Sequence, residues 1–168
     1  YVPQDTFLFS DSIRANLTLG RPDATEADLE HACDVAQFTE TVHGLEAGYD
    51  TLLGERGVNL SGGQKQRLAI ARAVIRDPAI LILDDALSSV DTHTEEQILQ
   101  RLKRVAVGRT TVLISHRVST VRHADRIFVL QDGRIAERGR HDDLVALGGL
   151  YADLYQRQLL EDELEETA

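Results

Sequence analysis

The 168-residue chain contains one cysteine, Cys33, so no internal disulfide can form and no cysteine-based metal cluster can be assembled. A reducing, cytosolic setting fits that usage. Long apolar runs are also missing. None approaches the roughly 18 to 20 residues that span a bilayer, and no basic region followed by an apolar stretch opens the N-terminus. This segment is therefore expected to be soluble by itself. Basic charge is scarce, with 18 Lys and Arg against 28 Asp and Glu and a formal net charge of −10. Half of that charge sits in residues 161–168, which hold five acids and no bases and read as a frayed acidic tail. The body is only mildly acidic, which argues against a sequence-independent nucleic-acid binder, since such a protein needs a basic face. No internal repeat is present.

What is present suffices for one globular domain, because 42% of the residues are apolar and the length is ordinary for a single core. The opening Tyr1-Val2-Pro3-Gln4 lacks a methionine and reads as the end of a strand, which leads us to expect further sequence upstream. From Thr25 to Ala36, residues Ala27, Leu29, Ala32, Val35 and Ala36 mark a short amphipathic helix with Thr25 as its cap. Residues 44–63 hold six glycines and no apolar stripe, so they read as loops. Helix resumes near Ser61 and stops at Asp77-Pro78.

Three short apolar runs follow, Ala79 to Leu83, Thr111 to Ile114 and Ile127 to Leu130. They read as strands buried on both faces. A helix from about Thr94 to Val105 separates the first two, and a shorter charged segment separates the second from the third. That alternation predicts a parallel sheet with crossovers. The third run turns through Asp132-Gly133 into Arg134-Ile135-Ala136 as a hairpin, and a last helix is expected near Leu144 to Leu160.

Two motifs carry chemistry. Ile80-Leu81-Ile82-Leu83 ends in Asp84, which puts a carboxylate at the C-terminal edge of a parallel strand, where α/β sheets bind ligands. In a phosphate site such an aspartate holds Mg²⁺, a hard cation that prefers oxygen. Taken alone, the pattern fits an aspartate capping the next helix equally well. Leu60-Ser61-Gly62-Gly63-Gln64 adds a serine and two glycines at a helix start. There the N–H groups and the positive end of the helix dipole form an anion site.

Together these residues resemble the nucleotide-binding domain of ABC transporters, exporters in particular, over nearly the whole chain. On that resemblance Gln4 in Val2-Pro3-Gln4-Asp5 is the Q-loop glutamine, and Gly54-Glu55-Arg56-Gly57 is the exporter X-loop. Leu60, Ser61, Gly62, Gly63 and Gln64 form the signature, Asp84 is the Walker B aspartate, Ser88-Ser89-Val90-Asp91 is the D-loop and His116 is the switch histidine. The implied fold is α/β: a P-loop NTPase-like parallel sheet, the RecA-like core without its N-terminal strands, carrying an inserted α-helical subdomain. The implied division is 1–76 for the Q-loop, helical subdomain and signature helix, 77–160 for the rest of the core, and 161–168 for the tail.

The implied activity is ATP hydrolysis that powers export, with ATP and Mg²⁺ as ligands. Gln4, Asp85 and His116 would act catalytically, and Asp84 and Gln4 would face the metal. Leu60 to Gln64 and Asp91 would bind nucleotide. The implied partners are a second nucleotide-binding domain, paired head to tail, and membrane domains fused N-terminally and contacted through the Gln4 region and Glu55. No nucleic acid is implied, and the setting would be the cytoplasmic face of a membrane. His116 follows a strand, as Asp84 does, and is expected beside it, within reach of a γ-phosphate and the attacking water.

Two features depart from the family. The Gly-x-x-x-x-Gly-Lys-Ser/Thr loop is absent, so this segment alone is expected to bind ATP poorly and to lack activity. Glutamate usually follows the Walker B aspartate, yet Asp85 stands there. Its carboxylate is withdrawn by about 1 to 1.5 Å, and an error near 1 Å can cost roughly a hundredfold in rate. An intact signature beside a shortened carboxylate resembles the non-equivalent subunit of a heterodimeric exporter. A soluble ABC ATPase of translation or DNA repair, and a regulatory ATP-binding module, remain the competing readings.

Overall fold

The computed structural model describes residues 1–54 and 59–166. The chain forms two compact units, Tyr1–Ile114 and Ser115–Ala168. The first unit contains α1 (Ile13–Thr18), α2 (Glu26–Val35), α3 (Thr39–His43), a 3₁₀ turn at Gly48–Asp50, α4 (Gly62–Val74), β1 (Ile80–Asp84), α5 (Thr92–Val105) and β2 (Thr110–Ile114). The second contains α6 (Val118–Val121), β3 (Ile127–Gln131), β4 (Arg134–Gly139), α7 (His141–Leu147) and α8 (Leu150–Glu166).

The longer helices of the first unit begin where a short polar side chain satisfies an otherwise orphan amide. Thr25 and Asp28 form a reciprocal capping box at α2, and Ser61 and Gln64 form one at α4. Asp91 accepts the Thr94 N–H at α5. Helix α4 ends at Val74 with Ile75 as its C-cap, before Asp77, whose φ of 52° breaks the helix ahead of Pro78.

Strands β1 and β2 pair in parallel, from Ile80 opposite Thr110 to Asp84 opposite Ile114. Across the other edge of β1, Val2 forms a parallel bridge with Leu83. The Val2 N–H donates to the Ile82 carbonyl at 2.8 Å, and the Asp84 N–H donates to the Val2 carbonyl at 2.9 Å. The N-terminal segment is thereby aligned beside the strand that carries the aspartates.

Burial of these strands on both faces does not hold. Leu81 and Leu83 join Leu68, Ile70, Ile98 and Leu102 in the main core, but Ile80, Val112 and Ile114 are 59%, 42% and 48% exposed. Successive side chains in a strand alternate between faces, and the helices of this unit cover only the face of Leu81 and Leu83. The third apolar run also differs from a parallel strand. As β3 it pairs antiparallel with β4, with a bulge between Val129 and Leu130. The expected turn is there, with Asp132 and Gly133 at φ 51° and 72°, the pair of positive values that a two-residue hairpin needs.

The single final helix is in fact two. Gly148, at φ 66°, ends α7 in the left-handed conformation, which glycine adopts without Cβ strain. Helix α8 then starts afresh under Glu137, whose carboxylate accepts the N–H groups of Leu150 and Tyr151 at 2.6 and 3.1 Å. It runs on to Glu166 rather than stopping near Leu160. The second unit has its own small core of Val118, Ile127, Leu144 and Tyr151.

Candidate functional site

Asp84 and Asp85 sit at the carboxyl edge of β1, and residues from the N-terminal segment meet them there. The Gln4 amide Nε2 donates to Asp85 Oδ2 at 3.2 Å. The Tyr1 hydroxyl donates to Asp84 Oδ2 at 2.8 Å, and that bond raises the tyrosine's own pKa. The Val2 bridge brings this about, because it holds Tyr1 and Gln4 alongside the strand's end. Nothing local in the sequence marks Tyr1 for this place.

Asp85 has a φ of 48°, a left-handed conformation in which Asp and Asn are several-fold enriched among non-glycine residues. Its N–H donates to the Ile114 carbonyl at 2.8 Å, which ties it to the end of β2. A residue held in that region costs about 1 to 3 kcal/mol and persists where its surroundings over-determine it, often at functional sites.

The oxygen donors of Asp84, Asp85 and Gln4 suit a hard divalent cation. Among the described residues no group of three or more His, Cys, Asp or Glu forms an all-protein metal cage. A magnesium ion carried on nucleotide phosphates takes only one or two protein carboxylates, so this set fits that ion.

At the start of α4 the Ser61 Oγ accepts the Gln64 N–H at 3.3 Å, and Gln64 Oε1 accepts the Ser61 N–H at 2.9 Å. The capping box thus occupies Ser61 and Gln64, whereas no described bond takes the N–H groups of Gly62 and Gly63. Both glycines lie against the loop after β1. A Cβ on Gly62 would meet the Ser89 side chain at 3.4 Å, and one on Gly63 would meet the Ser89 carbonyl oxygen at 2.7 Å. Leu60 is buried at 6% exposure, its side chain packed into the main core at the helix start. Asp91 caps α5, accepting the Thr94 N–H at 2.9 Å.

The first unit therefore brings together Tyr1, Gln4, Asp84 and Asp85, and separately Ser61, Gly62, Gly63 and the Ser88 to Asp91 loop. His116 stands two residues beyond β2, exposed, as part of the second unit. Glu55, Arg56 and Gly57 lie outside the described residues. Gln66 is a further residue of this junction, legible in the sequence only as an amide on the apolar side of α4. It is 4% exposed and bonds to Ser88 and Ser89.

The chain is similar to known proteins in sequence and in fold. The family model described as ABC transporter matches residues 1–88. The multidrug resistance-like ATP-binding protein MdlA of Escherichia coli is 49% identical over 166 residues, covering 99% of this chain and 28% of that protein. An ATM1-type heavy metal exporter of Novosphingobium aromaticivorans is 47% identical over 168 residues, covering 99% of this chain and 28% of that protein. The solved structure of a bacterial Atm1-family ABC exporter with ATP bound superposes with a TM-score of 0.90 at 48% identity, over 94% of this chain and 28% of that one. The chain belongs to the ABC transporter family. Its fold is the α/β fold of an exporter nucleotide-binding domain. It spans only 18% to 28% of the length of the curated relatives it matches, and among the described residues no helix is long and apolar enough to cross a membrane.

Proposed function

We propose that this chain is the nucleotide-binding part of an ABC exporter, which hydrolyses ATP on the cytoplasmic face of a membrane and drives transport through membrane domains in the same assembly. The Gln4–Asp85 bond beside Asp84 carries the reading, because it gathers a sensing amide and two carboxylates at the strand edge where a phosphate-bound cation would sit. The exporter names of the similar proteins support this branch of the family over the soluble one.

Asp84 and Gln4 would hold Mg²⁺, which when bound neutralises charge on the phosphates. Asp85 orients the attacking water and takes up its proton, and His116 hydrogen-bonds the γ-phosphate. Leu60, Ser61, Gly62, Gly63 and Gln64, with Asp91, bind the nucleotide of a second domain paired head to tail, the Gly62 and Gly63 N–H groups facing it. Glu55 would contact the membrane domains.

Asp85 makes the chain's own site slow. Its partner's site, completed by Ser61 to Gly63, turns over at the normal rate, so the assembly is a heterodimer of unequal sites. ATP turnover of the full assembly tests this. Removing the partner's catalytic glutamate is expected to lower turnover by about a hundredfold or more, while Asp85→Glu here raises it modestly. Turnover that survives loss of the partner's glutamate refutes the unequal-site reading.

A further inference from the structure

Helix α4 buries an amide bonded through both its nitrogen and its oxygen. Gln66 is 4% exposed among Leu68, Ala69, Ile70 and Ala71 on the same helix. Its Nε2 donates to Ser88 Oγ at 3.0 Å, and its Oε1 accepts the Ser89 N–H at 2.9 Å. Ser88 Oγ donates onward to the Asp85 carbonyl at 3.0 Å. A continuous line of hydrogen bonds thus runs from the first turn and a half of α4, through the loop after β1, to the backbone of Asp85. Close packing supports the same junction, since the Ser89 carbonyl occupies the space a side chain on Gly63 would need.

An apolar side chain of similar volume would fill this position at less desolvation cost, because a buried amide is tolerated only through the bonds it makes. Those bonds join two surfaces with different jobs. Ser61 to Gly63 pack against the Ser88 to Asp91 loop on one side, whereas Asp85 belongs with Asp84 and Gln4.

We propose that Gln66 is a positioning residue for ATP hydrolysis, locking the α4 start, the Ser88 to Asp91 loop and Asp85 into one rigid relation. The half-site lent to a partner's nucleotide and the half-site kept for this chain's own then move together. This inference rests on the preceding functional reading. Gln66 touches no nucleotide; it acts through Ser88 and Ser89.

In the full-length transporter, Gln66→Met keeps the volume and removes both bonds, and Ser88→Ala cuts the link to Asp85 with little change in packing. The experiment measures kcat and KM for ATP together with thermal unfolding. Each variant is expected to lower kcat about tenfold while KM stays within about twofold. The double variant should be no slower than Gln66→Met, since both cut the same line. If Gln66→Met fails to fold, Ser88→Ala carries the comparison. Wild-type kcat in a folded variant, a lowered Tm with unchanged kcat, or losses that multiply in the double variant would each overturn the proposal. An unsubstituted protein that hydrolyses no ATP refutes the ATPase reading instead. Hydrogen exchange at the Ser89 N–H then still tests the bridge: protection lost in Gln66→Met supports it, and protection retained overturns it.

Discussion

The Ser89 carbonyl oxygen lies where the Cβ of any residue other than glycine at position 63 would come within 2.7 Å of it. That oxygen is backbone and cannot swing aside, so Gly63→Ala must push the loop away from α4. Overpacking of this kind costs about 1 to 3 kcal/mol, and urea unfolding should show a loss in that range. Gly62→Ala, whose Cβ would touch only the Ser89 side chain at 3.4 Å, should cost much less. Equal losses at the two positions would contradict the packing described.

Asp91 supports the same loop from its other end. The backbone N–H of Thr94 is the main influence holding its carboxyl below the usual carboxylate range. Its pKa is therefore lower folded than unfolded, so the cap's stabilisation is complete above the ordinary carboxylate pKa and is lost as pH falls through the lowered value. Asp91→Ala should cost about 1 kcal/mol at pH 7, with the gap narrowing below about pH 4. Urea titrations at pH 7 and pH 3 test this, and a gap at pH 3 as large as that at pH 7 would assign the effect to packing.

Cys33 is fully buried, and burial pushes its thiol from 9.0 up to about 11. An acid whose pKa is higher folded than unfolded stabilises the fold below pH 9 and loses that contribution as pH rises toward 11. Two consequences are measurable. Alkylation by iodoacetamide at pH 8 should be about a hundredfold slower in the native protein than in urea, because the thiolate is the reacting form. Cys33→Ala should flatten part of the fall in stability between pH 9 and 11. Alkylation at the free-thiol rate would count against this burial.

The sequence by itself determined the starts of α2 and α4, the stop after α4 and the hairpin turn, because those signals are local. Thr25 and Asp28 lie three residues apart, as do Ser61 and Gln64, and each pair closes its capping box. Asp77-Pro78 and Asp132-Gly133 mark their breaks by the backbone conformations they adopt or prevent. The order of the motifs identified the family for the same reason, since it is read along the chain. Only the tertiary structure decided which atoms meet. The Tyr1 hydroxyl reaches Asp84 across 83 positions and Gln66 reaches Ser88 across 22, and such pairings depend on how α4, β1 and the N-terminal segment pack. The split of the last helix depended on Glu137, which reaches Leu150 from 13 positions earlier and supplies a cap that helical periodicity does not encode. The signature motif was legible as a helix start. Its hold on Asp85, through Gln66 and Ser88, follows only from folding, which aligns donors and acceptors far apart in sequence and excludes water from between them.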